Sequence, residues 1–177
     1  MKSKKVKKIG FVESKEFLGL KKILKLFGLI ILCEILGGIG AIFTTPNIPI
    51  WYASLTKPLF APPNWVFFPV WTILFALMGI ALFLVLENKE KKKVSQKKKA
   101  LVAFGVQFFF NILWSFLFFG LRNPLYGLVG IFVLWLAIVF TIISFFKVSK
   151  TSSYLLVPYI LWVSFAGILN AAIWMLN

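Results

Sequence analysis

The chain has 177 residues, 60% of them hydrophobic and 14% charged, with a net charge of +15 and no histidine. Soluble domains run about 45–50% apolar and about 25% charged, so the solvent of this chain is lipid. The missing histidine excludes histidine-ligated zinc, haem or copper and every histidine-based triad, and a single cysteine, Cys33, excludes an internal disulfide.

Residues 1–22 carry lysines with little hydrophobic periodicity and are predicted to form a mobile, basic cytoplasmic arm. A spanning helix needs roughly 20 apolar residues. Five runs meet that length, at 23–43, 65–86, 100–119, 125–146 and 154–176. The first is too long for a signal-peptide core and lacks a small-residue cleavage site, so it reads as retained. Between the first two runs, Pro46, Pro49, Pro58, Pro62 and Pro63 forbid a continuous helix. Pro69 falls in the first turn of the second run, where proline is tolerated. A basic loop, 87–99, precedes the third run, which ends at Gly120 and the turn Arg122-Asn123-Pro124; a short loop, 147–153, separates the last two. The predicted fold is all-α, an integral membrane bundle of five transmembrane helices in one domain, 23–177. No internal repeat is visible, which argues against a transporter built of two matching halves.

Eighteen of the twenty basic residues fall in the segments on the N-terminal side of the membrane. Lys57 and Arg122 alone fall on the other. By the positive-inside rule the N-terminus is cytoplasmic, and the proline-rich first loop and Asn177 lie outside, in what is expected to be the cell membrane. Lysines bordering apolar runs face anionic lipid, so the net charge is read as topology and lipid attraction, not as nucleic-acid binding.

Polar groups in lipid cost free energy unless paired. Glu34, Gly38, Ala41 and Thr45 share one helical face expected to point inward. Glu34 is either a proton or cation site, or a protonated or hydrogen-bonded carboxyl that locks helix packing beside Gly37, Gly38 and Gly40. Gln107, Asn111, Trp114 and Ser115 form an inward stripe on the third span. Trp71, Phe75 and Met78 make an aromatic face on the second; Trp162, Ala166 and Asn170 repeat on the fifth, after Pro158. Rings beside small residues and a few amides make an apolar cavity with orienting groups, or else simply pack helices. Gly127 with Gly130, and Gly37 with Gly40, are candidate surfaces for a dimer.

These residues, in order and spacing, carry a resemblance. Trp51-Tyr52, Lys57-Pro58, Pro62-Pro63-Asn64-Trp65, Pro69, Trp71, Met78-Gly79, Gln107, Asn111, Trp114-Ser115, Phe118-Phe119-Gly120, Pro158-Tyr159, Trp162, Phe165-Ala166 and Leu169-Asn170 resemble the tryptophan-rich sensory protein family. Its mammalian members are translocator proteins, or peripheral benzodiazepine receptors. The match runs from about residue 34 to 177. It implies a five-helix bundle, commonly a homodimer, that binds porphyrins such as protoporphyrin IX and haem, benzodiazepine-type ligands and, in some members, cholesterol. Bacterial members are implicated in tetrapyrrole regulation and stress, and some are reported to degrade protoporphyrin IX in light. Position by position, the resemblance implies pocket residues Trp71, Gln107, Asn111, Trp114, Trp162, Ala166 and Leu169, with Trp51 and Lys57-Pro58 in a lid-like loop. Trp71 and Trp162 are the residues tied to photochemistry. The chain departs from the family in two places. No tyrosine–basic pair for cholesterol follows Asn170, and Gly130 stands where many members have an aspartate.

A tetrapyrrole is a flat apolar plate with two propionates. Trp71 and Trp162, with Phe75, supply walls for it, and Lys57 or Arg122 a rim charge. Without histidine, metal-free porphyrin is the expected ligand, and no cofactor is required. The expected function is a membrane sensor or regulator that binds porphyrin-like and other apolar ligands. The alternatives are a light-dependent porphyrin-degrading enzyme, in which indoles donate electrons, and a transporter of porphyrin or lipid-like molecules. The expected partners are such a small molecule, the bilayer and a second copy of the chain.

Overall fold

Apolar runs that cannot leave backbone groups unpaired in lipid become helices. The computed structural model describes residues 2–90 and 93–177, with side chains from Gly19 onward, and no strand occurs among them. The helices are α1 (Lys2–Thr44), α2 (Phe67–Glu87), α3 (Val94–Ser115), α4 (Pro124–Val148), the short α5 (Lys150–Tyr154) and α6 (Val157–Leu176). Five stretches are long and apolar enough to cross a membrane, the fifth running through α5 and α6. The all-α, five-helix expectation holds.

The boundaries differ from the sequence reading in three places, each for a local reason. The segment expected as a separate arm is helical from Lys2, continuous with the first span, although the membrane-length part begins at Gly19. Lysine, glutamate and leucine are good helix formers, and no proline interrupts them. The basic loop is shorter than expected, because Val94–Lys99 already form the first turns of α3. The fifth span breaks between Tyr154 and Val157, because Pro158 has no N–H to return to the carbonyl of Tyr154. Asn123 caps α4 as the Asn-Pro turn suggests. Its side chain accepts from the backbone N–H of Leu125 and Tyr126, and Pro124 occupies the first helical position.

Around the bundle the neighbours run α1, α2, α5 with α6, α4, α3 and back to α1. At the lysine-rich end α1 and α2 are tied closely. Lys25 Nζ lies 2.7 Å and Lys22 Nζ 3.8 Å from the Glu87 carboxylate, and the Gly79 backbone rests on Ile30. Lysines at this end also satisfy carbonyls that helix ends leave over. Lys97 donates to Leu86 O at 2.6 Å, and Lys93 donates to Val148 O at 3.3 Å, beside the 2.9 Å bond from Asn88 Nδ2. Buried polar bonds join the remaining helices. Thr141 donates to Ala103 O, Trp135 Nε1 to Ser164 Oγ, and Asn170 Nδ2 to Pro124 O.

At the opposite end the first loop makes a wide turn at Ile48–Tyr52, and α3 opens into a second at Phe116–Gly120. Tyr52, Phe118, Phe119, Leu169 and Ile173 bury there as one cluster, with Trp51 and Phe165 packed against it. Asn177 clasps the loop, accepting from Thr56 N–H at 2.9 Å and donating back to Thr56 O at 3.0 Å. The glycines considered for a dimer surface are used inside the bundle. Gly37 packs on Phe75, Gly40 on Ser115, Gly127 on Phe118 and Asn170, and Gly130 on Leu117. Close approach through these four small residues occurs between elements of one chain.

Candidate functional site

Between the loop-end halves of α1, α2 and α3 lies a cavity of about 360 Å³. Its existence follows from side-chain size. Below it, Gly79 lets α1 and α2 touch; above, α1 presents Gly37, Gly38, Ala41, Thr44 and Thr45, too small to fill the space. Helix α2 supplies Phe67, Phe68, Trp71, Thr72 and Phe75, α3 supplies Asn111, Trp114 and Ser115, and the wide turn after it supplies Phe119. The volume falls within the range of small-molecule sites, about 300–1,000 Å³, and the lining has their usual make-up of rings with a few polar groups.

The aromatic wall is continuous. Trp71 stacks on Phe75 with centroids 5.4 Å apart and lies 6.4 Å from the ring of Trp114. Trp114 stacks on Phe118 at 5.9 Å, and Phe118 meets Trp51 edge-on at 5.2 Å. Asn111, buried, donates from Nδ2 to the Tyr159 hydroxyl at 3.0 Å, which fixes its amide against the wall. Trp114 Nε1 is buried with no hydrogen-bond partner. Such atoms are few in folded chains, so this indole N–H is spare donor capacity beside the cavity.

The structure brings together four of the expected ligand residues, Trp71, Phe75, Asn111 and Trp114, on one cavity wall. Gln107 lies a turn from Asn111, buried, its Nε2 3.8 Å from Met78 Sδ and its Oε1 without partner. Trp162 stands elsewhere. With Val70, Leu74, Pro158, Leu161 and Phe165 it lines a separate apolar groove between α2 and α6, and its Nε1 is buried and unpartnered. It touches the cavity indirectly, through Phe67, at 6.1 Å between rings. Ala166 is buried in the core, and Leu169 in the loop-end cluster with Trp51 beside it. Lys57 sits 5.0 Å above the Tyr52 ring, its Nζ donating to the carbonyls of Ala53 and Leu55. Burial pushes the Tyr52 phenol up to about 12, so this ring is a neutral partner for that ammonium at physiological pH.

The face Glu34, Gly38, Ala41 and Thr45 lines the cavity as one stripe, but it is not the packed face of α1. Cys33, Gly37 and Gly40 are the buried positions; Gly38 and Ala41 line the cavity but stay exposed. Phe67 was missed by the sequence reading, although Phe67, Trp71 and Phe75 recur every four residues. Phe68 and Thr72 were missed because they face the cavity across the flank of α2 and carry no inward signature, and Asn64 because it lies in the turn before that helix.

A family model described as TspO/MBR family matches residues 29–175. A tryptophan-rich protein TspO of Chlorobaculum tepidum is 47% identical over 89% of this chain and 98% of its own length. One of Archaeoglobus fulgidus is 44% identical over 88% and 98%. The translocator protein of Bos taurus is 33% identical over 85% of this chain and 88% of its own. A match across most of the chain, on a bundle of five membrane-length helices, places this protein in the TspO/MBR family.

Proposed function

We propose that the protein is a membrane sensor or regulator that binds a flat, apolar, porphyrin-type ligand in the cavity between α1, α2 and α3. The observation that carries this reading is the continuous wall of Trp71, Phe75 and Trp114 with the fixed Asn111 amide beside it. Offset rings are the surface a conjugated plate stacks on, and an oriented amide gives it one polar contact. Arg122 supports the rim of the reading. It donates from Nε to Asn47 Oδ1 at 3.0 Å, at the loop end where Thr45 and Ile48 border the cavity. Glu34 and Thr45 are eleven residues apart on α1, about 16 Å along the axis. A plate of porphyrin size therefore keeps its propionates at the Arg122 rim and away from the Glu34 carboxylate.

A second reading has one observation in its favour. The Trp71 ring borders the cavity and lies 6.4 Å from the Trp114 ring, so an electron that Trp71 gives to an excited porphyrin would be replaced from a second indole. In this reading the protein consumes porphyrin in the presence of light and dioxygen. The charge asymmetry supports a cytoplasmic lysine-rich end, and a second copy of the chain is the proposed oligomeric partner.

Titrating protoporphyrin IX into the reconstituted protein, in darkness and under illumination, tests both. Replacing Trp71 by phenylalanine keeps a stacking surface, so dark affinity is expected to fall no more than about tenfold, or about 1.4 kcal/mol. Light-driven loss falls much further in Trp71→Phe than in Trp162→Phe, whose ring lies outside this cavity. Asn111→Leu weakens dark binding. Dark binding unmoved by Trp71→Leu and Asn111→Leu refutes the site. Equal conversion by parent and both phenylalanine variants makes the indoles pocket wall and removes the proposed photochemical mechanism, and conversion no faster than in protein-free lipid refutes the enzyme.

A further inference from the structure

We infer that the cavity also takes a second ligand class, an apolar organic cation whose ammonium group is held by Glu34 against the rings of Trp71, Phe75 and Phe68. Among the described residues, the walls carry one carboxylate, Glu34, and no lysine or arginine. Among the described residues, no hydrogen bond or ion pair engages that carboxylate. Lys22 and Lys25 of the same helix pair with Glu87. Lys25 is nine residues from Glu34, about 13 Å along the helix, beyond contact.

A carboxylate at mid-span is costly in lipid unless a positive or hydrogen-donating group meets it. The rings that line the same cavity as Glu34 favour a cation. Ring faces attract ammonium groups within about 6 Å, tryptophan most strongly and more so when water is excluded. A carboxylate facing aromatic walls is the pairing that selects an ammonium from a neutral molecule of equal shape. Space and access are present too. A side-chain carbon placed on Gly38, one turn from Glu34 on the same face, meets nothing within 4 Å. Phe68 is 81% exposed, so the cavity is open along the flank of α2 to a ligand already dissolved in the bilayer. This proposal does not rest on the porphyrin reading, and its test contains no porphyrin.

The full chain is placed in nanodiscs of phosphatidylcholine, which lacks anionic headgroups that retain cations. Two probes of one shape are titrated at neutral pH: trimethyl(2-naphthylmethyl)ammonium, and 2-neopentylnaphthalene, in which carbon replaces the charged nitrogen. Empty discs correct for partition into lipid. The parent is expected to bind the cation at least about tenfold more tightly than its neutral twin, with Glu34→Gln erasing the preference and Glu34→Asp keeping part of it. Gly38→Leu, which fills the open space beside the carboxylate, is expected to abolish binding of both probes. Equal affinity of the parent for the two probes overturns the proposal. So does a preference that survives Glu34→Gln, which leaves Glu34 a packing group, or cation binding that survives Gly38→Leu.

Discussion

Gly79→Ala probes the contact that places the cavity. A Cβ at position 79 stands 2.6 Å from the Cα of Ile30, 2.9 Å from its nitrogen and 3.0 Å from the carbonyl oxygen of Leu29, where ordinary contact begins at 3.4 Å. The obstructing atoms are backbone, so no rotamer change relieves the overlap, and α1 must retreat by roughly 0.8 Å. Overpacking of this kind costs about 1–3 kcal/mol. Alanine returns about 0.8–1.0 kcal/mol through its better helix propensity, which leaves a net loss of up to about 2 kcal/mol. For a chain of this length that lowers the midpoint of thermal unfolding by up to about 8 °C. Gly105→Ala is the matched control. It makes the same change in α3, where an added carbon meets nothing within 4 Å, so only the propensity gain remains and the midpoint rises slightly. Both variants are melted in the same lipid discs and followed by circular dichroism. A Gly79→Ala midpoint at or above the parent's, or a Gly105→Ala midpoint that falls equally, refutes the close approach of α1 and α2.

Three other outcomes follow from particular contacts. A cysteine replacing Ser54, exposed in the first loop, in a Cys33→Ala background, reacts with an impermeant thiol reagent on intact cells; labelling that appears only after lysis reverses the proposed orientation. Asn177→Ala removes the clasp on Thr56, worth about 0.5–1.5 kcal/mol per bond at most. Amide exchange at 53–57 then speeds up while the global melting point scarcely moves; unchanged exchange means the clasp does not hold the loop. Asn123→Ala removes the cap on α4, lowering stability by about 1 kcal/mol, and a melting point unchanged from the parent's contradicts that role.

The sequence showed most of what depends on composition and period. Five apolar runs, the Asn-Pro start of α4 and the inward stripe of Gln107, Asn111 and Ser115 all appear where the pattern placed them. It showed less of what depends on which helices become neighbours. Trp71 and Trp162 both read as inward aromatic positions beside small residues, yet Trp71 faces α1 and Trp162, on α6, lines a groove toward α2. Helical period tells which side of a helix is buried, not which partner buries it. The lysines near α3 show the same limit. Charge counting read them as orientation signals, and it could not reveal that Lys93 and Lys97 close the ends of α4 and α2.

The position of the cavity also says which wall is least firmly held. Helix α1 buries 17% of its most apolar window, against 33–39% for the other four spans. Its firm attachments cluster at the lysine-rich end, in the Glu87 ion pairs and the Gly79 contact. Toward the loop end it is held by smaller contacts, Gly37 on Phe75 and Gly40 on Ser115. Regions with few buried contacts open at lower free energy than the core around them. Under the proposed function, the wall formed by α1 is therefore the one expected to yield to a ligand larger than the cavity. Trp71, Asn111 and Trp114 stand on the more deeply buried α2 and α3, so a firm aromatic wall would face a more yielding wall of small residues, and one site would take plates and smaller apolar molecules without rebuilding the core.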